Sequence, residues 1–378
     1  MNLQKRDFII REPLLVGMLV LIAVAFSALT HAYSEAYDKH RASLSVEWFE
    51  RAKLDLKNNR PSAAIEALRT ALLYDPRNRD FTLYLAEALA QTGRSDQALN
   101  YYLGLWQSSP NNGPVNLRLA RLSAQKGDAV GAERYFNGAI FGDWPENPAA
   151  NRRMASLELI DFYLNHGDTG HAESQLIILS DNLPEDPLLH IRVAKLYSRI
   201  GQDQRALNQY RQAIQLDPND LQAMRGAAEA SFHTGDYRAA QAYASRTLHL
   251  DESDSSAKRL LAVIQAIFSL NPYEHGITEA KKIKRTLQSF DIAGNRLQSC
   301  SGSGHSSMAS SIDPFSERWK QLKVVANDGF LRQHPEEVDT LFDFSSSAEK
   351  IAESNCGDLK PEDSALLAIA TQHAGEAR

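Results

Sequence analysis

The feature that most constrains the fold is the segment at residues 188–218, which reads LLHIRVAKLYSRIGQDQRALNQYRQAIQLDP. Its alanines at Ala194 and Ala206 predict two helices that cross closely, because only small side chains let helix backbones approach. Aromatic residues at Tyr197 and Tyr210 lie one turn further along and fill the space beside the crossing. The segment therefore predicts a helix hairpin.

Gly201 and Pro218 mark the ends of these two helices. Glycine takes the left-handed conformation that closes a helix C-terminus, and proline cannot continue a helix. The same register recurs every 34 residues, with one joint between Phe141 and Asn151 that carries extra residues. The position of Gly201 is occupied in the other copies by Asn59, Gly93, Gly127, Gly167 and Gly235.

This pattern closely resembles the tetratricopeptide repeat, a helix–turn–helix unit of the same period. Six copies in one register argue against an ordinary helical bundle with chance spacing. The resemblance implies an all-α fold, a tetratricopeptide repeat solenoid of about six helix hairpins with capping helices. A solenoid needs such caps because each repeat buries its apolar face only against its neighbours.

The rest of the chain divides by composition. We expect short helices near 315–326, 335–344, 346–354 and 361–373, with Pro314 and Pro361 in first turns. The predicted segments are a tail and transmembrane anchor (1–33), a connector (34–44), six repeats (45–254), capping helices (255–297), a Ser/Gly-rich linker (298–313) and a small helical C-terminal region (314–378).

The N-terminal segment LLVGMLVLIAVAFSALT, residues 14–30, carries no charge. With residues 31–33 it approaches the ~20 apolar residues that span a bilayer, which predicts an uncleaved anchor. Two alternatives stay open: a signal peptide cut after Ala32, and a buried helix of a soluble protein.

Basic residues flank this segment on both sides. Lys5, Arg6 and Arg11 precede it, and Lys39 and Arg41 follow it. The small excess in front favours a cytoplasmic N-terminus and an extracytoplasmic body. The absence of any Asn-x-Ser/Thr acceptor site favours a bacterial envelope, where the body would be periplasmic.

Nothing in the sequence indicates catalysis, a cofactor, a metal site or a small-molecule substrate. The net charge is −6, so no nucleic-acid partner is expected, and the KKIKR run at 281–285 is interpreted as a solvated helix face. His166 and His171 are interpreted as capping or surface residues rather than metal ligands. Cys300 and Cys356, the only cysteines, are predicted to form a disulfide if the body is extracytoplasmic.

The resemblance implies that the first helix of each repeat lines a concave groove. Two lines of residues on these helices are the candidate partner-binding site. The first is apolar and comprises Phe49, Leu83, Leu117, Leu157 and Ile191, with Arg225 in the sixth repeat. The second alternates in charge and comprises Lys53, Glu87, Arg121, Asp161, Lys195 and Glu229.

Each line also has a purely structural interpretation. The apolar residues could pack adjacent helices together, and the charges could form ion pairs between neighbouring helices. The pattern with which some relatives clamp a terminal carboxylate is absent, because its positions hold Asp80, Tyr84 and Pro114.

The sequence therefore predicts a non-catalytic, membrane-anchored scaffold or adaptor that binds a protein or peptide partner in the groove, in cell-envelope assembly or secretion. The alternative is a structural accessory subunit of a larger membrane protein complex. A third possibility is an enzyme whose site lies in the C-terminal region.

Overall fold

The computed structural model describes the backbone of residues 4–301, 309–356 and 359–376, and the side chains of 16–300, 312–356 and 359–374. These residues form eighteen helices and no strands. In chain order the helices are α1 (Gln4–Lys57), α2 (Pro61–Tyr74), α3 (Arg79–Gln91), α4 (Ser95–Ser108), α5 (Gly113–Gln125), α6 (Ala129–Phe141), α7 (Pro148–Asn165), α8 (Thr169–Ser180), α9 (Pro187–Arg199), α10 (Asp203–Leu216), α11 (Leu221–His233), α12 (Tyr237–Leu250), α13 (Ser255–Leu270), α14 (Glu279–Ser301), α15 (Ala309–Lys323), α16 (Asp328–Gln333), α17 (Glu337–Cys356) and α18 (Pro361–Glu376).

The chain forms two compact units, residues 1–175 and 176–378, and the division falls inside α8. The first unit contains the hairpins α1–α2, α3–α4 and α5–α6, followed by α7. The second contains the hairpins α9–α10 and α11–α12, then the six helices that follow them. The predicted helix hairpins are therefore present in each unit.

The turn inside each hairpin has the predicted left-handed residue. Gly201 has φ 72°. Two backbone hydrogen bonds close the end of the helix, from Gln202 N–H to the Tyr197 carbonyl (3.0 Å) and from Gly201 N–H to the Ser198 carbonyl (3.1 Å). Asn59 substitutes for glycine in the first repeat with φ 55°, a conformation that asparagine tolerates better than most residues. The same position has φ between 75° and 79° at Gly93, Gly127, Gly167 and Gly235.

The alanines predicted at the crossing of the two helices of each hairpin are all buried. The pairs are Ala52 with Ala64, Ala86 with Ala98, Ala120 with Ala132, Ala194 with Ala206, and Ala228 with Ala240. Tyr197 and Tyr210 are also buried, as their place beside the crossing predicts.

The first helix joins the apolar segment to the first repeat without a break. The predicted connector, residues 34–44, is part of α1. From Val16 to Lys57 this helix contains an 18-residue window of mean hydropathy 1.9, none of it buried, and it is long and apolar enough to cross a membrane. Arg41 fastens it to the end of α2 by donating to the carbonyl of Tyr74 (2.8 Å).

The irregular joint between α6 and α7 folds back on the preceding turn. Asp143 exchanges backbone hydrogen bonds with Asn111 (2.7 Å) and Gly113 (2.9 Å). The Trp144 indole donates to the Ala139 carbonyl (2.8 Å) and covers Gly113, where a Cβ atom would lie 2.4 Å from the ring nitrogen. The extra residues therefore form a specific structure that requires glycine at position 113.

The last helices of the second unit pack together rather than forming a separate region. Phe290 and Leu297 of α14 share a core with Trp319 of α15 and Leu341 of α17. A second core joins α13 to α17 and α18, with Ile267, Phe342 and Ile369 as members. The predicted capping helices and the predicted C-terminal region thus share two hydrophobic cores.

Several boundaries in this region differ from those predicted. One helix, α17, replaces the two short helices expected at 335–344 and 346–354. The predicted linker is shorter, because α14 continues to Ser301 and α15 begins at Ala309; residues 302–308 lie outside the described residues. Pro314 consequently lies inside α15 rather than in its first turn, whereas Pro361 begins α18 as predicted.

Candidate functional site

The predicted apolar line is mostly buried. Leu117, Leu157 and Ile191 expose only 3%, 4% and 3% of their surface, so they are core residues and offer almost nothing to a partner. Phe49 and Leu83 are half-buried. Of the apolar residues of this line, only Phe49 on α1 and Leu83 on α3 remain partly accessible to a partner.

An aromatic cluster surrounds these two accessible residues. The Phe49 ring lies 4.6 Å from the ring of Phe81 and 5.1 Å, edge on, from that of Tyr84. The Lys53 ammonium lies 5.1 Å above the centre of the Phe49 ring. Phe81 is buried and Tyr84 half-buried, so α1 and α3 present a partly exposed aromatic surface beside a cation.

Several residues in the predicted line of alternating charges form ion pairs, but their partners are residues outside the line. Glu87 accepts from Arg118 of the next hairpin (2.5 Å). Arg121 donates to both carboxylate oxygens of Glu158 on α7 (2.5 and 2.7 Å), and this hydrogen bonding raises the pKa of Arg121. Lys53 pairs within α1, with Glu50 (2.6 Å).

The pairs between helices follow a diagonal rule. Arg118 and Glu158 each stand one residue after the apolar line, so a charge on one helix meets the opposite charge on the next helix one turn earlier. The sequence contained this signal as complementary signs at Glu87 and Arg118, and again at Arg121 and Glu158. These charges therefore do form ion pairs between neighbouring helices, as the structural interpretation expects. Their partners, however, lie outside the predicted line.

The remaining predicted positions have varied surroundings. Asp161 on α7 is half-buried, and Glu229 on α11 is exposed. In the second unit, Lys195 donates to the Gln222 amide oxygen (3.0 Å). Arg225, the sixth member of the otherwise apolar line, pairs with Asp251 (3.5 Å) and with Asp254. It joins the last repeat to the start of α13, because Asp254 caps that helix.

The two histidines considered as ligands have ordinary structural partners. His166 Nδ1 contacts the carbonyl of Phe162 (2.8 Å), at the end of α7. His171 Nδ1 contacts the Asp168 carboxylate (2.7 Å), and its ring stacks on Tyr163. Among the described residues no group of three or more histidine, cysteine or acidic side chains could hold a metal ion.

The basic run at 281–285 is divided between roles. Arg285 is buried and donates to the carbonyls of Asn271 (2.6 Å) and Phe268 (2.8 Å) and to Glu274 (2.6 Å), which ties α14 to the end of α13. Lys282 pairs with Asp339 of α17 (3.0 Å). Lys281 and Lys284 stay exposed, so the run is no compact basic patch.

The cysteines and a buried charged group lie in the last helices. Cys300 and Cys356 form a disulfide between α14 and α17, with Cα atoms 5.5 Å apart. Nearby, Arg296 pairs with Asp363 of α18 (3.1 Å), and Glu349 is fully buried. Burial and the Asp363 carboxylate raise the pKa of Glu349 to about 8. No sequence pattern indicates this buried acid.

These hairpins, with their left-handed turn residues and buried alanine crossings, define a helical repeat protein of the solenoid class. The tetratricopeptide repeat family matches residues 49–113 and 201–264. The chain therefore contains tetratricopeptide repeats, which confirms the predicted fold class. Members of such repeat families present extended surfaces that bind other proteins.

Solved structures give distant matches. The chain is 15% identical to a protein described as Pseudomonas aeruginosa pilF, over 59% of this chain and 99% of that one (TM-score 0.42). It is 14% identical to the C-terminal part of a tetratricopeptide repeat-containing protein from Cytophaga hutchinsonii, over 63% and 92% (TM-score 0.47). It is 17% identical to PilW, described as a type IV pilus biogenesis factor, over 57% and 98% (TM-score 0.41). Comparison with curated protein sequences finds no significant match.

Proposed function

We propose that this protein is a non-catalytic tetratricopeptide scaffold, held at a membrane by α1, that binds a protein partner in cell-envelope assembly or secretion. One observation carries the proposal. The apolar, unburied segment of α1 continues as a single helix into the first repeat, so that a membrane span and a protein-binding module share one element. A span at one end places the binding surface beside the membrane.

The partner surface begins on α1 and α3. Phe49, Leu83 and Tyr84 are the half-buried apolar and aromatic residues there, and Lys53 adds a cation at their edge. Apolar anchors usually supply more affinity than charges at the rim. An amphipathic helix or an extended peptide that places apolar residues against Phe49 and Leu83 fits this surface.

Photo-crosslinking from the intact protein in its membrane tests the surface. A photoreactive amino acid at Leu83 should capture one specific partner, and Phe49→Asp should abolish that capture. The matched control is the same probe at Tyr101, which is 40% exposed on α4, the second helix of its hairpin. Capture from Tyr101 alone, unaffected by Phe49→Asp, would overturn the groove as the partner site.

The alternative, a fixed accessory subunit of a larger membrane complex, predicts a different result. Purification in mild detergent would then recover partners in constant stoichiometry, whereas a scaffold that exchanges its partner releases it on dilution. The Phe49→Asp variant distinguishes the two further, since a subunit buried on several faces would stay associated.

The proposed topology has a cytoplasmic N-terminus and an extracytoplasmic body. The disulfide between Cys300 and Cys356 supports it, because such bonds persist in oxidising compartments. Mass measurement of the mature protein tests the anchor. A mature N-terminus at Tyr33 would show that the apolar segment is a cleaved signal peptide instead.

A further inference from the structure

Three turns of the first unit form one continuous row. They are residues 75–78 between α2 and α3, 109–112 between α4 and α5, and 142–147 between α6 and α7. Arg79, next to the first turn, donates to the Ser109 hydroxyl of the second (2.9 Å). The second turn exchanges backbone hydrogen bonds with the third, through Asn111 and Asp143 (2.7 Å). We call these three linked turns the turn row.

The N-terminal part of α1 leaves the unit beside this row. Arg41 donates to the carbonyls of Leu73 (3.3 Å) and Tyr74 (2.8 Å), the last residues of α2 before the first turn. On the same side of α1, the Arg41 guanidinium lies 5.9 Å from the ring of Tyr37, which stacks on Tyr33. Beyond Tyr33 the helix continues into the apolar segment. The turn row is therefore the edge of the first unit that faces the proposed membrane.

Two large apolar side chains stand on this edge. Leu73, in the last turn of α2, exposes 74% of its surface, and Phe141, the last residue of α6, exposes 81%. Each lies at the C-terminal end of the second helix of its hairpin, directly before the turn row. Tyrosines at the exit of the span add the aromatic character that is common at membrane–water interfaces.

The height of the row above the bilayer follows from the continuous helix. Arg41 lies eight residues beyond Tyr33, or about 12 Å along the helix axis. The headgroup layer occupies about 5–8 Å of that distance. The remaining gap is about 5 Å. A tilt of the helix toward the row by about 20°, the usual value for a transmembrane helix, lowers a point about 15 Å to the side of the helix axis by about 5 Å and so closes the gap.

We propose that the turn row rests on the lipid headgroups, with Leu73 and Phe141 entering the membrane interface. The proposal rests on the proposed membrane anchoring of α1. The fixed attachment of α2 to α1 through Arg41 means that the first unit has no connector by which to move away from the bilayer. The occupant of this edge is the lipid surface, and a protein at the same place is the competing outcome.

Site-directed fluorescence quenching in the full-length protein tests the proposal. A thiol-reactive fluorophore is attached, without reduction, to Leu73→Cys, Phe141→Cys, Val130→Cys and Val24→Cys, since the native cysteines are joined in a disulfide. Val130 is the matched control for Phe141: it is 80% exposed, and it lies at the opposite end of α6, about 17 Å away. The variants are reconstituted in phosphatidylethanolamine–phosphatidylglycerol vesicles that carry a spin label on the headgroup or on the acyl chain.

Headgroup-labelled lipid should quench the fluorophore at positions 73 and 141 and leave position 130 unaffected, while chain-labelled lipid quenches position 24. Quenching at 24 with 73 and 141 as unaffected as 130 would overturn the proposal and leave the anchor intact. The proposal is also overturned if 73 and 141 are shielded from a water-soluble quencher but not reached by labelled lipid, because a protein then covers the edge. Absence of quenching at 24 would overturn the anchor and, with it, the proposal.

Discussion

Replacing Leu117 with alanine tests whether this residue of α5 belongs to the core or to the floor of a binding groove. Leu117 on α5 is 3% exposed, so the change removes side-chain carbons from a close-packed site and leaves a cavity. Such changes lower the free energy of unfolding by about 2–5 kcal/mol. Leu83 occupies the equivalent position of the preceding repeat but is half-buried. Leu83→Ala deletes the same atoms with less buried area, and should cost about 1–2 kcal/mol.

Hydrogen exchange of the intact protein in detergent measures both variants, because each repeat contacts only its neighbours and the loss should be local. Leu117→Ala should lower protection in α5 and the hairpins beside it more than Leu83→Ala lowers it around α3. Binding of the partner should be affected in the opposite order: Leu83→Ala should weaken it more than Leu117→Ala does. Equal losses of stability, or a cost below about 1 kcal/mol at Leu117, would refute the assignment of Leu117 to the core.

Three further predictions concern the second unit and the joint. Because the pKa of Glu349 is raised to about 8 from 4.5 by burial and by Asp363, the folded protein keeps a proton that the unfolded chain releases. The free energy of unfolding should therefore fall as pH rises from 5 to 8, by up to about 1.4 kcal/mol per pH unit, and Glu349→Gln should flatten this slope in thermal denaturation at several pH values. Thiol labelling of unreduced, denatured protein should leave Cys300 and Cys356 unlabelled; two labels per chain would place the body in a reducing compartment. Gly113→Ala should cost about 1–3 kcal/mol in chemical denaturation, since its Cβ would overlap the indole of the joint; a neutral effect would contradict the close packing found there.

The hairpin repeat was predictable because it depends on local requirements that recur in the sequence. A left-handed turn residue is needed wherever a hairpin closes, which is why Asn59 could be placed beside the glycines. A small residue is needed wherever two helices cross closely. Both requirements act within one repeat, so a single sequence with several copies shows them plainly.

The burial of the residues in the apolar line was not predictable, because it depends on how neighbouring repeats pack against each other. Leu83 and Leu117 are the same residue in the same register, yet one is half-buried and the other buried. The complementary signs of Arg121 and Glu158 are visible in the sequence, but choosing these two residues as partners requires the offset between neighbouring helices, which the 34-residue period does not contain.

The C-terminal helices show a different limit of prediction from sequence. They appear as a separate region because a Ser/Gly-rich segment precedes them. In the structure they are not separate, because Trp319 packs in a core with residues of α14 and Phe342 in a core with residues of α13. Such contacts between distant parts of the chain carry no periodic signal.

The disulfide of the second unit determines what proteolysis can do to this protein. It closes residues 301–355 into a covalent ring that contains α15, α16 and α17 up to its last residue, and the Ser/Gly-rich residues 302–308 lie within that ring. One cut anywhere among residues 302–308 therefore releases nothing: the two fragments stay joined through Cys300 and Cys356, and they separate on a gel only after reduction. In a compartment that contains proteases but no reductant, a chain cut there would keep all of its residues, including its last four helices.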